Sequence, residues 1–139
     1  MSQADTLALI RRYYDAFNRD DHDTMLACVS DDVIHDVNQG VRRFGKDQFR
    51  AFNARMEHSY HERLENIVVM ANADGTRAAA EFNVNGVYKN TDDGLPPASG
   101  QKYLLPAGTF FQIKDGKIAR VTTYYNLTEW LVQVTGEAA

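Results

Sequence analysis

Two Asp-Gly pairs, at 74–75 and 115–116, constrain the fold of this chain more than any other feature. Asp-Gly between stretches rich in β-branched and aromatic residues is a strong signal for a tight turn between antiparallel strands. The flanking stretches are 64–73 and 77–89 for the first pair, and 102–114 and 117–126 for the second. The second half of the chain is therefore predicted to form a meander of about four long antiparallel strands.

The first half of the chain has helical spacing instead. Its longest helix is predicted over residues 4–18, because the apolar residues there fall on one side, and the others over 22–30 and 46–60. A strand at 32–37 separates the second and third helices, and a short last helix is predicted at 129–134, capped by Thr128 and closed by Gly136. This order predicts one α+β domain over residues 1–139, without a linker or a repeat.

Composition narrows the classes of function. The 139 residues suit one domain, and the net charge of −4 gives no basic surface for nucleic acid or an anionic membrane. No apolar run approaches the length of a membrane span, and the start lacks the pattern of a leader, so we expect a cytoplasmic protein. The lone Cys28 fits a reducing compartment.

Polar side chains interrupt the strand predicted at 32–37. His35, Asp36 and Asn38 stand among branched apolar residues, where a half-buried strand would not need them. Local rules broken in this way often mark a functional site. Neighbouring residues of a strand point to opposite faces, so only one of His35 and Asp36 is expected to face a pocket.

The chain resembles the ketosteroid isomerase and SnoaL-like branch of the nuclear transport factor two-like superfamily. The likeness lies in Arg-Tyr-Tyr-Asp-Ala-Phe-Asn at 12–18, Ser-Asp-Asp-Val-Ile-His-Asp-Val at 30–37, Gly-Leu-Pro-Pro-Ala at 94–98 and the run at 115–122. It implies a curved antiparallel sheet wrapped around three N-terminal helices as a cone, a cystatin-like α+β roll with a deep apolar pocket. It also implies a homodimer paired through the sheet.

Ketosteroid isomerases use an aspartate base, a tyrosine and a protonated aspartic acid, and each is carried over separately. The tyrosine matches Tyr13. The base matches Asp36 if the strand is one residue shorter here, and Val37 if it is not. The third position matches Gly108, which has no side chain to donate a hydrogen bond.

The predicted catalytic residues are therefore Asp36, His35 and Tyr13. A carboxylate at the mouth of an apolar cavity would have a raised pKa and could act as a general base, and Tyr13 could then stabilise negative charge on a substrate oxygen. If His35 faces the pocket instead, the base would be an imidazole that titrates near neutral pH. Asn38 is predicted to orient the substrate.

Aromatic and apolar residues are predicted to contact the ligand. The candidates are Phe52, Met56, Tyr103, Tyr125 and Trp130. Alternation makes Tyr124 and Tyr125 exclusive choices for the inner face. His58 and His61 lack a third ligand, and Cys28 lacks a base partner, so we expect no metal, no cofactor and no cysteine nucleophile.

The sequence thus favours a small-molecule acid-base enzyme, an isomerase or cyclase that removes a proton next to the carbonyl of a small apolar compound. The alternative is a protein of the same fold that binds a hydrophobic ligand, or serves as a dimeric module, without catalysis. Both faces of the strand at 103–113 are apolar, which predicts helices on one side and a second subunit on the other. The loop at 90–101 is predicted to be either a lid or a plain connection.

Overall fold

The computed structural model describes residues 2–37 and 39–137. It contains four helices and six strands within these residues, and the predicted α+β class is confirmed. The helices are α1 (Gln3–Asn18), α2 (His22–Ala27), α3 (Lys46–Ser59) and α4 (Leu127–Thr135). The strands are β1 (Val29–Asp36), β2 (Arg43–Phe44), β3 (Tyr60–Ala71), β4 (Arg77–Tyr88), β5 (Gln101–Lys114) and β6 (Lys117–Tyr125).

The strands form one curved, unclosed sheet in the order β2-β1-β6-β5-β4-β3. The predicted meander is present, since β3, β4, β5 and β6 pair in sequence and antiparallel. The sheet differs from the expected all-antiparallel arrangement at one place, because β1 runs parallel to β6. This pairing carries β1, with His35 and Asp36, into the sheet beside the last strand.

The two Asp-Gly pairs form different connections. Asp115 and Gly116 both have positive φ (52° and 76°), as the two-residue turn between right-twisted strands requires. The first pair lies instead in a five-residue connection, 72–76, between β3 and β4. Glycine is required at position 75 for two reasons. Its φ is 75°, and a Cβ there would lie 2.5 Å from the carbonyl oxygen of Ser2.

The predicted ends of several elements shift in the structure. Strand β1 begins at Val29, three residues early, because Val29 pairs with Ile118 of β6. Strand β3 begins at Tyr60 rather than 64, directly after α3. The last helix is capped by Asn126, which accepts from the backbone N–H of Glu129 at 3.1 Å, and not by Thr128.

The core lies between α1 and the inner face of the sheet. Strand β4 shows the predicted alternation, with Ala78, Ala80, Phe82, Val84 and Tyr88 buried on the inner side. On the outer side large apolar residues are exposed by 45 to 58%, namely Val68, Met70, Leu104, Phe110 and Tyr124. Among the described residues only the inner face of β5 is covered, and on its outer face Leu104 and Phe110 are exposed.

Candidate functional site

The helices and the inner face of the sheet enclose a cavity of about 500 Å³. Its wall comes from α1, α3, α4 and the strands, with the loop at 90–101 contributing Asp92, Asp93 and Leu95. The Tyr88 hydroxyl fixes this loop by donating to the carbonyl of Pro96 at 2.7 Å. A cavity of this size, largely apolar with a few convergent polar groups, is typical of small-molecule sites.

Strand β1 turns His35 into the cavity and Asp36 away from it. His35 is 5% exposed, and its ring makes edge-to-face contacts with Phe49 and Phe52 at centroid distances of 5.0 and 4.7 Å. Val37, two residues on, lines the same cavity, as the period of a strand requires. The position that matches the base of the isomerases without a gap therefore holds a valine, and of His35 and Asp36 only the histidine lines the cavity.

His35 is neutral at physiological pH in this environment. Burial lowers its pKa to about 4, and the positive charge of Arg43 acts in the same direction, while Asp36 opposes both. The predicted titration near neutral pH is therefore wrong. Its Nδ1 is buried and has no hydrogen-bond partner within residues 2–37 and 39–137. A buried ring nitrogen without a partner is costly unless a ligand or water completes it.

Asp36 is held on the outer side of the sheet. Its carboxylate binds the Arg120 guanidinium at 2.7 Å and the Thr122 hydroxyl at 3.2 Å, and Arg42 contributes a further ion pair. Partial burial alone would raise the pKa of Asp36, but these hydrogen bonds outweigh it and the pKa is lowered. The predicted rise in the pKa of Asp36 is wrong, and its environment is that of a structural ion pair rather than of a general base.

Tyr13 lies deep in the cavity wall. It is 5% exposed and contacts Tyr14 and Phe111 edge to face, at centroid distances of 5.2 and 5.9 Å. Burial holds the pKa of its hydroxyl well above the ordinary value, and no hydrogen bond contributes to that shift. The hydroxyl therefore keeps its proton and can donate a hydrogen bond to a ligand oxygen.

A hydrogen bond between side chains of two strands in the same wall was not predicted from the sequence. Tyr103 of β5 donates from its hydroxyl to Glu62 of β3 at 2.5 Å, passing over Gly86 of β4, which stands in register with both. A Cβ on Gly86 would lie 2.2 to 2.4 Å from the tyrosine ring. Burial raises the pKa of Glu62, and the tyrosine hydrogen bond only partly opposes this. A glycine inside the alternating pattern of β4 was the available signal, since it marks a close approach.

The residues predicted to contact a ligand line the cavity. The cavity wall includes Phe52, Met56, Tyr103, Tyr125 and Trp130. The open choice on β6 is resolved, because Tyr125 faces inward and Tyr124 is 45% exposed on the outer face. Asn38 lies outside the described residues.

The other residues singled out in the sequence have simpler surroundings. Gly108 lies on the outer face of β5, between Ala107 and Thr109 that line the cavity, so a side chain there would point away from a ligand. Cys28 is fully buried at the end of α2. Within the described part of the chain, no group of three or more His, Cys, Asp or Glu side chains could hold a metal ion. No helix there is long and apolar enough to cross a membrane.

The family model of the SnoaL-like domain matches residues 10–121. The chain belongs to this family. Two similar solved structures are candidate polyketide cyclases: one from Pseudomonas putida KT2440 is 58% identical, with 93% of this chain and 97% of that chain covered and a TM-score of 0.92. The other, from Xanthomonas campestris pv. campestris, is 54% identical, with 95% and 98% covered and a TM-score of 0.92.

A more distant structure of similar fold is that of an LEH-like epoxide hydrolase from M. tuberculosis. It is 15% identical, with 96% of this chain and 86% of that chain covered and a TM-score of 0.76, a likeness that shows the fold alone. No curated protein matches the chain. The resemblance inferred from the sequence is confirmed.

Proposed function

We propose that this SnoaL-like protein is a small-molecule acid-base enzyme of the cyclase or isomerase type. Its substrate is a small, mostly apolar carbonyl compound held in the cavity, from which His35 removes a proton next to the carbonyl. Tyr13 donates a hydrogen bond to the oxygen that gains negative charge. The single observation behind this proposal is His35, a buried, neutral imidazole in the cavity wall whose Nδ1 has no hydrogen-bond partner in the described part of the chain.

The basicity of His35 is sufficient for this chemistry. Ketosteroid isomerase uses a carboxylate base with a pKa of about 4.6, which is close to the value of about 4 for His35. The low pKa keeps the imidazole unprotonated through the neutral range, so the base is always available. The names of the two close relatives support a cyclase-type role. The non-catalytic alternative would be favoured if both His35 and Asp36 faced solvent, and His35 does not.

Exchange of carbon-bound hydrogen for deuterium tests the proposal without knowledge of the natural substrate. Two apolar ketones, 2-tetralone and a 5-ene-3-ketosteroid, are incubated with the protein in D₂O and followed by NMR. We expect His35→Gln to slow exchange next to the carbonyl by about a hundredfold or more, as loss of a general base does. Tyr13→Phe should lower the rate of exchange about a hundredfold, as loss of an oxyanion donor does.

The matched control is His58→Gln, which makes the same chemical change at an exposed histidine outside the cavity wall. It should leave exchange within twofold of the wild type. The proposal fails if neither ketone exchanges faster than in buffer, or if exchange survives His35→Gln within a few fold.

We also propose that two copies pair through the outer face of the sheet. The five exposed apolar residues there lie on β3, β5 and β6, and Phe110 and Tyr124 already contact each other at a centroid distance of 5.7 Å. A self-complementary apolar face of this kind suits a two-fold dimer. Light scattering should give a dimer for the wild type and a monomer for Phe110→Asp, while Val41→Asp, at another exposed apolar site, should remain dimeric. A monomeric wild type would contradict the pairing.

A further inference from the structure

Arg43 is a cation of the cavity wall that has no counter-charge among the residues described by the structure. It lies on β2, is half-buried, and places its guanidinium carbon 4.6 Å from the centre of the Phe52 ring. Its one side-chain hydrogen bond goes from Nη1 to the carbonyl oxygen of Val41 at 3.3 Å. Among residues 2–37 and 39–137, no carboxylate comes within 4 Å of it. Four of its five donors are therefore left for another partner.

The acidic residues of the same wall do not serve as that partner, because most are engaged elsewhere. Asp20 pairs with Arg63, Glu62 accepts from the Tyr103 hydroxyl, Asp92 accepts from the Tyr60 hydroxyl, and a Glu57 carboxylate oxygen lies 3.2 Å from the imidazole Nε2 of His22. Asp93, the remaining acidic side chain of the wall, is exposed. The described residues thus include partners for most of the acids around the cavity but no carboxylate partner for this arginine.

A second cation makes the absence of a counter-charge more costly. Arg55 approaches the same Phe52 ring at 5.5 Å, and its own nearest carboxylate, that of Asp92, is 3.7 Å away. Burial lowers the pKa of Arg43, and the charge of Arg55 lowers it further. Two guanidinium groups near one ring create a positive potential that an anion would relieve, and a partly buried charge is expected to be paired.

The buried imidazole lies in the same part of the cavity. Phe52 contacts His35 on one side and Arg43 on another, so the three side chains form a continuous section of wall. Here the unpartnered Nδ1 of His35 and the free donors of Arg43 are both polar groups that nothing else in the described chain satisfies. An oxygen-rich anionic group of a ligand would satisfy the arginine, and the apolar wall would hold the rest of the molecule.

We infer that the ligand is a small apolar carboxylic acid whose carboxylate pairs with Arg43 and whose apolar body extends along Phe52 and Met56 toward Trp130. This inference names the substrate class of the site and rests on the proposed function for its location. A guanidinium binds a carboxylate through two parallel hydrogen bonds, which fixes the orientation of the ligand as well as its charge. Such an anchor would set which carbon of the substrate lies next to His35.

The test compares two probes with the same apolar body, 6-phenylhexanoate and 6-phenylhexanamide. Calorimetry measures their binding, and the fluorescence of Trp130, the one tryptophan of the chain and 4% exposed in the cavity wall, reports occupancy. We expect the carboxylate to bind at least about tenfold more tightly than the amide. Arg43→Gln should weaken the carboxylate at least about tenfold and leave the amide within twofold.

The control is Arg50→Gln, which removes an exposed arginine that pairs with Asp47; neither residue lines the cavity. It should leave both affinities unchanged. Equal binding of the two probes, a preference that survives Arg43→Gln, or binding of neither probe would overturn the inference. Carboxylate binding that persists in His35→Gln while proton exchange in the wild type is absent would refute only the proposed function.

Discussion

The low pKa of His35 has a measurable consequence for stability. In the folded protein its pKa is about 4, whereas the ordinary value in an unfolded chain is 6.5. Between these two values the unfolded state binds more protons than the folded state, so the folded protein loses stability as the pH falls. Stability from the neutral imidazole is complete above pH 6.5 and is lost down to pH 4.

The size of the effect follows from the two pKa values. Between pH 7.5 and 4.5 the linkage relation gives a loss of about 2–3 kcal/mol from this one residue. Other titratable groups also make the stability depend on pH, but in other directions or over other ranges of pH. The lowered pKa of Asp36 stabilises the folded protein, and this stability is lost only as the pH falls below the ordinary value of 3.8. The raised pKa of Glu62 lowers stability as the pH rises above 4.5, which is opposite to the effect of His35.

A comparison between variants isolates the histidine. Urea unfolding followed by Trp130 fluorescence, at one protein concentration, gives the free energy of unfolding at pH 7.5, 6.5, 5.5 and 4.5 for the wild type and for His35→Gln. The wild type should lose about 2–3 kcal/mol more than the variant over this range, and the control His58→Gln should follow the wild type. Parallel curves for the wild type and His35→Gln would refute the assignment of a buried, neutral imidazole.

Two further substitutions test the architecture of the site. Gly86→Ala should lower the free energy of unfolding by about 1–3 kcal/mol, or displace the ring of Tyr103, because its Cβ would lie 2.2 Å from that ring. The Cβ of Gly108→Ala would lie 3.5 Å from its nearest atom, so this variant should lose much less stability. Urea unfolding would contradict this if the two variants were equally stable. Asp36→Asn should lower stability at pH 7 by about 1–3 kcal/mol through its ion pair with Arg120, yet leave deuterium exchange within a few fold; a loss comparable to that of His35→Gln would show that the outer carboxylate takes part in the chemistry.

Much of the fold was accessible from local patterns. The Asp-Gly pairs and the period-two alternation located the four long strands, because turn conformation and burial are both recorded within a few residues. The parallel pairing of β1 with β6 was not predicted, since it joins residues about ninety positions apart. The two-residue strand β2 is similarly set by its partner β1 and not by its own sequence.

The site shows the same division. The stretch around His35 was correctly singled out, but its register was undecided, because the choice between His35 and Asp36 depends on which face of β1 meets the helices. That face is set by distant residues, Phe49 and Phe52 on one side and Arg120 on the other. Burial lowers the pKa of His35, and hydrogen bonds from Arg42 and Arg120 lower that of Asp36. Both environments depend on tertiary contacts, so neither pKa shift could be predicted from neighbouring residues.

The most direct test of the account is the pH dependence of proton exchange catalysed by His35. The rate of deuterium exchange into saturating 2-tetralone, corrected for exchange in buffer, is measured at pH 7.5 and pH 5.5. With a pKa of about 4, the imidazole stays more than about nine-tenths neutral at both values, so the rates should agree within about twofold. A fall of about tenfold at pH 5.5 is what a histidine of ordinary pKa would give, and it would contradict the account.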